Sequence, residues 1–188
     1  MNNKRRTKII VSAVLVVAVA VSAVFIFAEE KLFYPIKYRD IVSKYSAVYG
    51  VEEELILAVI NTESRFDSNA VSEAGAIGLM QITPETFAWL QTKDDTEDVL
   101  ADAELYNPET NIKYGTLLLS LNIAEYGNRE TAIASYNAGR GKVSAWLSDK
   151  NYSSDSRTLT LIPYEETRRY VEKVNRSYKI YKEKLNNN

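Results

Sequence analysis

Residues 9–28 of this chain run for 20 positions without a charged side chain. At about 1.5 Å of rise per residue, a helix of that length spans the hydrocarbon core of a bilayer, about 30 Å thick. The run therefore separates a membrane part from everything after residue 28. Lys4, Arg5, Arg6 and Lys8 precede it and Glu29 and Glu30 follow it, so the excess of basic residues places the N-terminus in the cytoplasm. The expected organisation is a basic cytoplasmic segment at 1–8, a single-pass transmembrane signal-anchor at 9–28, a tether at 29–35 and one extracytoplasmic domain at 36–185. The alternative is a signal peptide cleaved near Ala20 and Ser22, followed by secretion. Cleavage would leave the apolar run Val24-Phe25-Ile26-Phe27 on the mature end, and the uncharged stretch exceeds the roughly 7 to 15 residues of a signal core.

The chain has Cys 0 and His 0. Thiol nucleophiles, disulfide frameworks, Ser-His-Asp relays and the usual Cys/His zinc sites are thereby excluded. No calcium-loop pattern is visible either, so neither a metal nor a cofactor is expected. Acid–base work falls to carboxylates, Tyr or Lys. Four of the 23 Lys and Arg lie before residue 28, leaving 19 against 25 Asp and Glu and a formal net charge of −6 for the exported part. A nucleic-acid partner would want the opposite sign.

Only 7 Gly and 4 Pro favour an all-α domain over a turn-rich sandwich. Tyr38, Ile41, Val42, Tyr45, Val48 and Tyr49 recur at helical spacing until Gly50 supplies a stop. A second helix is predicted from about Glu52 to Ser64. Thr83-Pro84 and Asn107-Pro108 each place a capping side chain before a proline at the first helical position. The helix from Pro108 carries Ile112, Leu118, Leu119 and Ile123 to a stop at Gly127. Asn128 caps a helix through Tyr136, Gly139 and Gly141 break the chain, and a short helix covers Val143 to Leu147. Pro163 is expected to open the last helix, with Thr167, Tyr170, Val171, Val174, Tyr178 and Tyr181 on one stripe. Arg65 to Gly78, Thr92 to Tyr106 and Ser148 to Thr158 remain irregular. Loops held on a rigid scaffold are where sites are usually built.

The second helix holds an anomaly. Leu55, Ile56, Val59 and Ile60 define its apolar face, and at about 100° per residue Glu63 projects from the same stripe. It also lies in the last turn, where the negative end of the helix dipole opposes ionisation, as does partial burial. Both raise its pKa towards the range a general acid needs. The plainer alternative is an ion pair with Arg65, Arg168 or Arg169.

Around Glu63 the sequence reads Glu63-Ser64-Arg65-Phe66-Asp67, then Asn69-Ala70-Val71-Ser72, then Gly75-Ala76-Ile77-Gly78-Leu79-Met80-Gln81. Three further segments follow in order: Asn107-Pro108-Glu109-Thr110-Asn111-Ile112 with Gly115, Ser135-Tyr136-Asn137-Ala138-Gly139, and Ile162-Pro163-Tyr164-Glu165-Glu166-Thr167-Arg168-Arg169-Tyr170-Val171. Together they resemble the catalytic domain of soluble lytic transglycosylases, the goose-type-lysozyme-like family, across residues 36 to 182. The resemblance implies a lysozyme-like, single helical domain that cuts the β-1,4 bond between N-acetylmuramic acid and N-acetylglucosamine in peptidoglycan strands, leaving 1,6-anhydro ends. It implies Glu63 as the catalytic acid/base, and Ser72, Gln81, Tyr136, Asn137, Tyr164 and Glu166 beside it in the sugar groove. Three positions depart from the family pattern: Thr83 stands where Met is common, Ser135 where Ala is usual, and Leu118 where Tyr is frequent.

Each groove residue also has a plainer role open to it. Asn137 could end its helix, Gln81 could satisfy loop backbone, and Tyr136 and Tyr164 could be core aromatics. A hydrolytic muramidase on the same fold would need a second carboxylate about 5 to 9.5 Å from the first, for which Asp67, Glu73 and Glu166 are available. A non-catalytic wall-binding or assembly module is the third reading, disfavoured by the joint presence of Glu63, Gln81, Tyr136 and Asn137.

Overall fold

The computed structural model describes residues 15–17, 33–94 and 99–187. Among them run seven α-helices: α1 (Arg39–Tyr49), α2 (Glu53–Glu63), α3 (Pro84–Gln91), α4 (Pro108–Tyr126), α5 (Arg129–Ala138), α6 (Arg140–Leu147) and α7 (Glu165–Asn186), with a 3-10 turn at Asp102–Tyr106. The compact unit they build begins at Ile36. The described residues contain isolated bridges but no strand, in keeping with an all-α, lysozyme-like domain. Of the uncharged N-terminal run only 15–17 are described, and these are helical. The expected span over 9–28 otherwise lies outside the described residues, as do 95–98, and among the described residues no helix is long and apolar enough to cross a membrane.

Side-chain caps set the starts of α3, α4 and α5. Thr83 Oγ1 accepts the Thr86 amide at 3.2 Å, Asn107 Oδ1 accepts that of Glu109 at 2.9 Å, and Asn128 Oδ1 accepts that of Thr131 at 2.9 Å. Each cap satisfies an amide that the first turn leaves without a partner. Gly50 and Gly127 end α1 and α4 in the left-handed conformation (φ 66 and 60), as the sequence predicts.

Two expectations are corrected. Gly141 does not break the chain, because α6 begins at Arg140 directly after Gly139 (φ 87), which alone makes the turn. Pro163 does not open the last helix; α7 starts two residues later, at Glu165. The guanidinium of Arg168 takes the carbonyls of Ile162 and Pro163 at 2.6 and 2.9 Å, and the Tyr164 ring packs edge-on against Trp146, 5.0 Å between centroids. These contacts hold 162–164 as an extended lead-in.

Helix α2 is more deeply placed than an amphipathic stripe implies. Leu55, Ile56, Leu57, Ala58, Val59 and Ile60 are all buried, as in a helix apolar on every side. It packs against α1 and, antiparallel, against α7, whose stripe of Thr167, Tyr170, Val171, Val174, Tyr178 and Tyr181 is entirely buried. Helix α4 packs against α1, α3 and α5, and α5 also meets α6 and α7. This scaffold brings the C-terminal ends of α2 and α5 beside the first turns of α7.

Candidate active site

Glu63 is the last residue of α2. Ser64 caps the helix end and donates its hydroxyl to the Leu79 carbonyl at 2.8 Å, tying the helix to the loop that follows. Arg65 and Phe66 both adopt positive φ (52 and 66), a conformation that costs a side-chain-bearing residue about 1 kcal/mol or more. Burial of Phe66 offsets that cost, and the reversal turns residues 67–82 back across the end of α2.

Asn111, buried on α4, holds this loop. Its Oδ1 accepts the Met80 amide at 2.7 Å, and its Nδ2 donates to the carbonyls of Ile77 and Leu105 at 2.9 and 2.8 Å. Gly78 (φ 80) runs so close that a Cβ there would lie 2.3 Å from Asn111 Nδ2. The Met80 carbonyl in turn accepts the Tyr136 hydroxyl at 2.7 Å. One backbone position thus links α4 to the C-terminal end of α5.

The Tyr170 hydroxyl donates to Glu63 Oε1 at 2.6 Å. Burial pushes the Glu63 carboxyl up to about 7, while the bond from Tyr170 pulls the other way. At pH 7 such a group is about half protonated, whereas an ordinary glutamate is less than about 1 % protonated. Burial first, and the nearby Glu63 carboxylate second, hold the phenols of Tyr136 and Tyr170 well above their usual range, so both act as neutral donors. Of the alternative partners, Arg168 is engaged on the carbonyls before α7 and Arg169 on Glu165, and Arg65 makes no ion pair with Glu63 among the described residues.

A cleft of about 540 Å³ opens beside Glu63, lined by Thr62, Asn137, Glu165, Glu166, Arg169, Tyr170 and Lys173. It gathers Glu63, Asn137 and Glu166 from the sequence-predicted set. Asn137 Oδ1 accepts the Thr167 hydroxyl at 2.9 Å, which fixes its amide at the cleft wall. Tyr136 lies behind, close enough to Glu63 and Tyr170 to interact electrostatically with both. Gln81 adopts φ 50 and spends its amide N–H groups on the carbonyls of Ala70 and Gly78, at 3.1 and 2.9 Å, which is the loop-satisfying role. Ser72 is exposed and accepts the Ala76 amide at 3.0 Å. Tyr164 is exposed on the Trp146 side. Ser72, Gln81 and Tyr164 are not among the cleft-lining residues. Of the three candidate second carboxylates, Glu166 lines the cleft and Asp67 and Glu73 do not, while Glu165, not anticipated, does.

Tyr170 and Lys173 were not anticipated at the site either. Tyr170 reads as one more apolar position on the α7 stripe. Its signal is a hydroxyl that must find a partner once buried. Among the described residues no cluster of carboxylates able to hold a metal ion is present.

The chain belongs to the Transglycosylase SLT domain family, which it matches over residues 40–166. It is 34% identical over 143 residues to a soluble lytic murein transglycosylase of Salmonella typhimurium, covering 75% of this chain and 22% of that protein. It is 38% identical over 170 residues to a membrane-bound lytic murein transglycosylase C of Yersinia pestis, covering 78% of this chain and 47% of that one. The chain thus spans between about a fifth and a half of these relatives. Among solved structures it resembles an inactive glutamate-to-glutamine mutant of a Pseudomonas aeruginosa lytic transglycosylase (TM-score 0.74, 32% identity, 84% of this chain and 26% of that one). It also resembles the 70 kDa soluble lytic transglycosylase of Escherichia coli (TM-score 0.72, 29% identity, 84% of this chain and 25% of that one).

Proposed function

We propose that this chain is a lytic transglycosylase that cleaves the β-1,4 bond between N-acetylmuramic acid and N-acetylglucosamine in peptidoglycan strands, with Glu63 as the single general acid and base. The observation that carries the reading is the environment of Glu63: a half-buried carboxyl at a cleft, without an ion pair among the described residues, and pushed up to about 7. In the first step neutral Glu63 gives its proton to the glycosidic oxygen. The bond from that oxygen to C1 of the muramic ring breaks and its electron pair leaves with the oxygen. In the second step the Glu63 carboxylate takes the proton of the muramic C6 hydroxyl. O6 bonds to C1, closing a 1,6-anhydro ring and restoring the acid. Each step asks Glu63 to exchange one proton near neutrality, for which a pKa near 7 is suited.

Asn137 and Glu166 contact the sugar directly in this scheme, Tyr170 keeps the acid in place, and Tyr136 ties the end of α5 to the loop at Met80. Ser72, Gln81 and Tyr164 belong to more distant parts of the groove or to its supports. The proposed location is the outer face of the cytoplasmic membrane, with residues 9–28 as anchor. The uncharged run and the membrane-bound relative support it.

Glu165 and Glu166 in the cleft keep hydrolysis as the competing outcome, since either could activate water. Mass spectrometry of muropeptides released from purified wall separates the two. Ring closure yields ends lighter than hydrolytic reducing ends by one water, about 18 Da. Reducing ends as the main product would overturn the transglycosylase reading.

A further inference from the structure

The cleft beside Glu63 is polarised along α7. Glu165 and Glu166 stand in the first turn of that helix, Arg169 one turn on and Lys173 two turns on, all lining the same space. Tyr170, which holds Glu63, lies between the acidic and basic ends. Spacings of three, four and seven residues keep these groups on one face, and about 1.5 Å of rise per residue sets Glu166 and Lys173 about 10 Å apart along the axis. That is too far for the two to pair. Arg169 is bonded to Glu165, with 70% and 65% of the two side chains exposed, so an incoming anion can compete for it cheaply. Lys173 is exposed and has no ion pair or hydrogen bond among the described residues. A cation without a partner at the wall of a catalytic cleft marks where the substrate brings negative charge.

We propose that Lys173, with Arg169 beside it, forms an anion subsite for a carboxylate carried on the lactyl arm of the muramic ring whose bond Glu63 protonates. The inference rests on the functional reading above. The arm hangs from C3 of that ring and ends in a carboxyl group, free in a bare strand and amide-linked to a stem peptide with its own carboxylates in a decorated one. In both cases a negative charge travels on the C3 arm of the reacting ring, nearer to C1 in the bare strand and further out in the decorated one. The acidic end of the cleft repels it and the basic end attracts it, so the polarity of α7 selects the direction in which a strand enters.

The test uses the full-length chain carrying Glu63→Gln, with and without Lys173→Gln, and calorimetric binding of three tetrasaccharides. These are a peptide-bearing N-acetylglucosamine–N-acetylmuramic acid strand, the same strand stripped of peptide, and an N-acetylglucosamine tetramer that carries no acid. Lys173→Gln is expected to weaken acid-bearing strands about fivefold at low salt and to leave the neutral tetramer unchanged. Lys173→Arg should restore the affinity, and the difference should shrink in high salt. A loss confined to the peptide-bearing strand assigns the anion to the stem, and a loss shared with the bare strand assigns it to the lactyl carboxylate. An equal loss on all three sugars, or no loss on either acidic strand, overturns the subsite. A Glu63→Gln chain that binds none of the sugars overturns the functional reading and the subsite together. One that still cuts wall overturns only the role of Glu63, and the binding ratios decide the subsite.

Discussion

The contact between α2 and α7 carries a tyrosine–glutamate hydrogen bond at each end. At the start of α2, Tyr178 donates to Glu52 at 3.0 and 3.1 Å. That carboxylate is 54% exposed, has Arg129 at 4.0 Å, and shares the tyrosine with Lys182. It also sits at the positive end of the helix dipole. At the other end, Tyr170 donates to Glu63 at 2.6 Å. There the dipole is negative, no ion pair with Glu63 exists among the described residues, and burial pushes the carboxyl up to about 7. Residue types and helices are the same at both ends. Water, neighbouring cations and helix polarity set the two sites apart, and burial is what pushes Glu63 up.

The comparison breaks most visibly in activity. Glu63→Gln should lower muropeptide release by about 10² to 10⁴, the usual worth of general acid catalysis, while Glu52→Gln should leave the rate within about twofold. Turnover assays of both variants on purified wall check this. Equal losses would mean that the two ends act alike. A smaller effect sharpens the contrast in stability. Because the folded pKa of Glu63 lies above its unfolded value, the native state holds the extra proton between about pH 4.5 and 7. The Glu63 contribution to stability therefore falls as pH rises through that window, by at most about 3 kcal/mol. Glu63→Gln removes the ionisation, so the variant should gain on wild type between pH 4 and pH 8 in chemical denaturation. No gain would place the carboxyl in water.

The sequence carried much of this because helix ends are local. Thr83, Asn107 and Asn128 announce their caps, and Gly50 and Gly127 their stops, by chemistry confined to a few residues. The anomaly of Glu63 was legible in the same way, as a charge on an apolar face. What stayed hidden depends on contacts distant along the chain. Tyr170 looks like core until α7 lies antiparallel on α2, and the lead-in at 162–164 follows from Arg168 taking two carbonyls that no propensity weighs. At Gln81 the resemblance implies a groove role, and the structure adds that its amide N–H groups bond the carbonyls of Ala70 and Gly78. Asn111 belongs to a recognised segment, but nothing in that segment reveals that it fastens the loop facing Glu63.

The central claim is that the Glu63 carboxyl holds its proton up to neutrality. Carbon-13 NMR of side-chain-labelled glutamate, followed from pH 3 to 9, tests it directly. The account predicts a carboxyl resonance, absent from Glu63→Gln, with its midpoint near 7, moving higher still in Tyr170→Phe because the donor that favours the charged form is gone. Titration of every glutamate within the ordinary range, about 4 to 5, would contradict it.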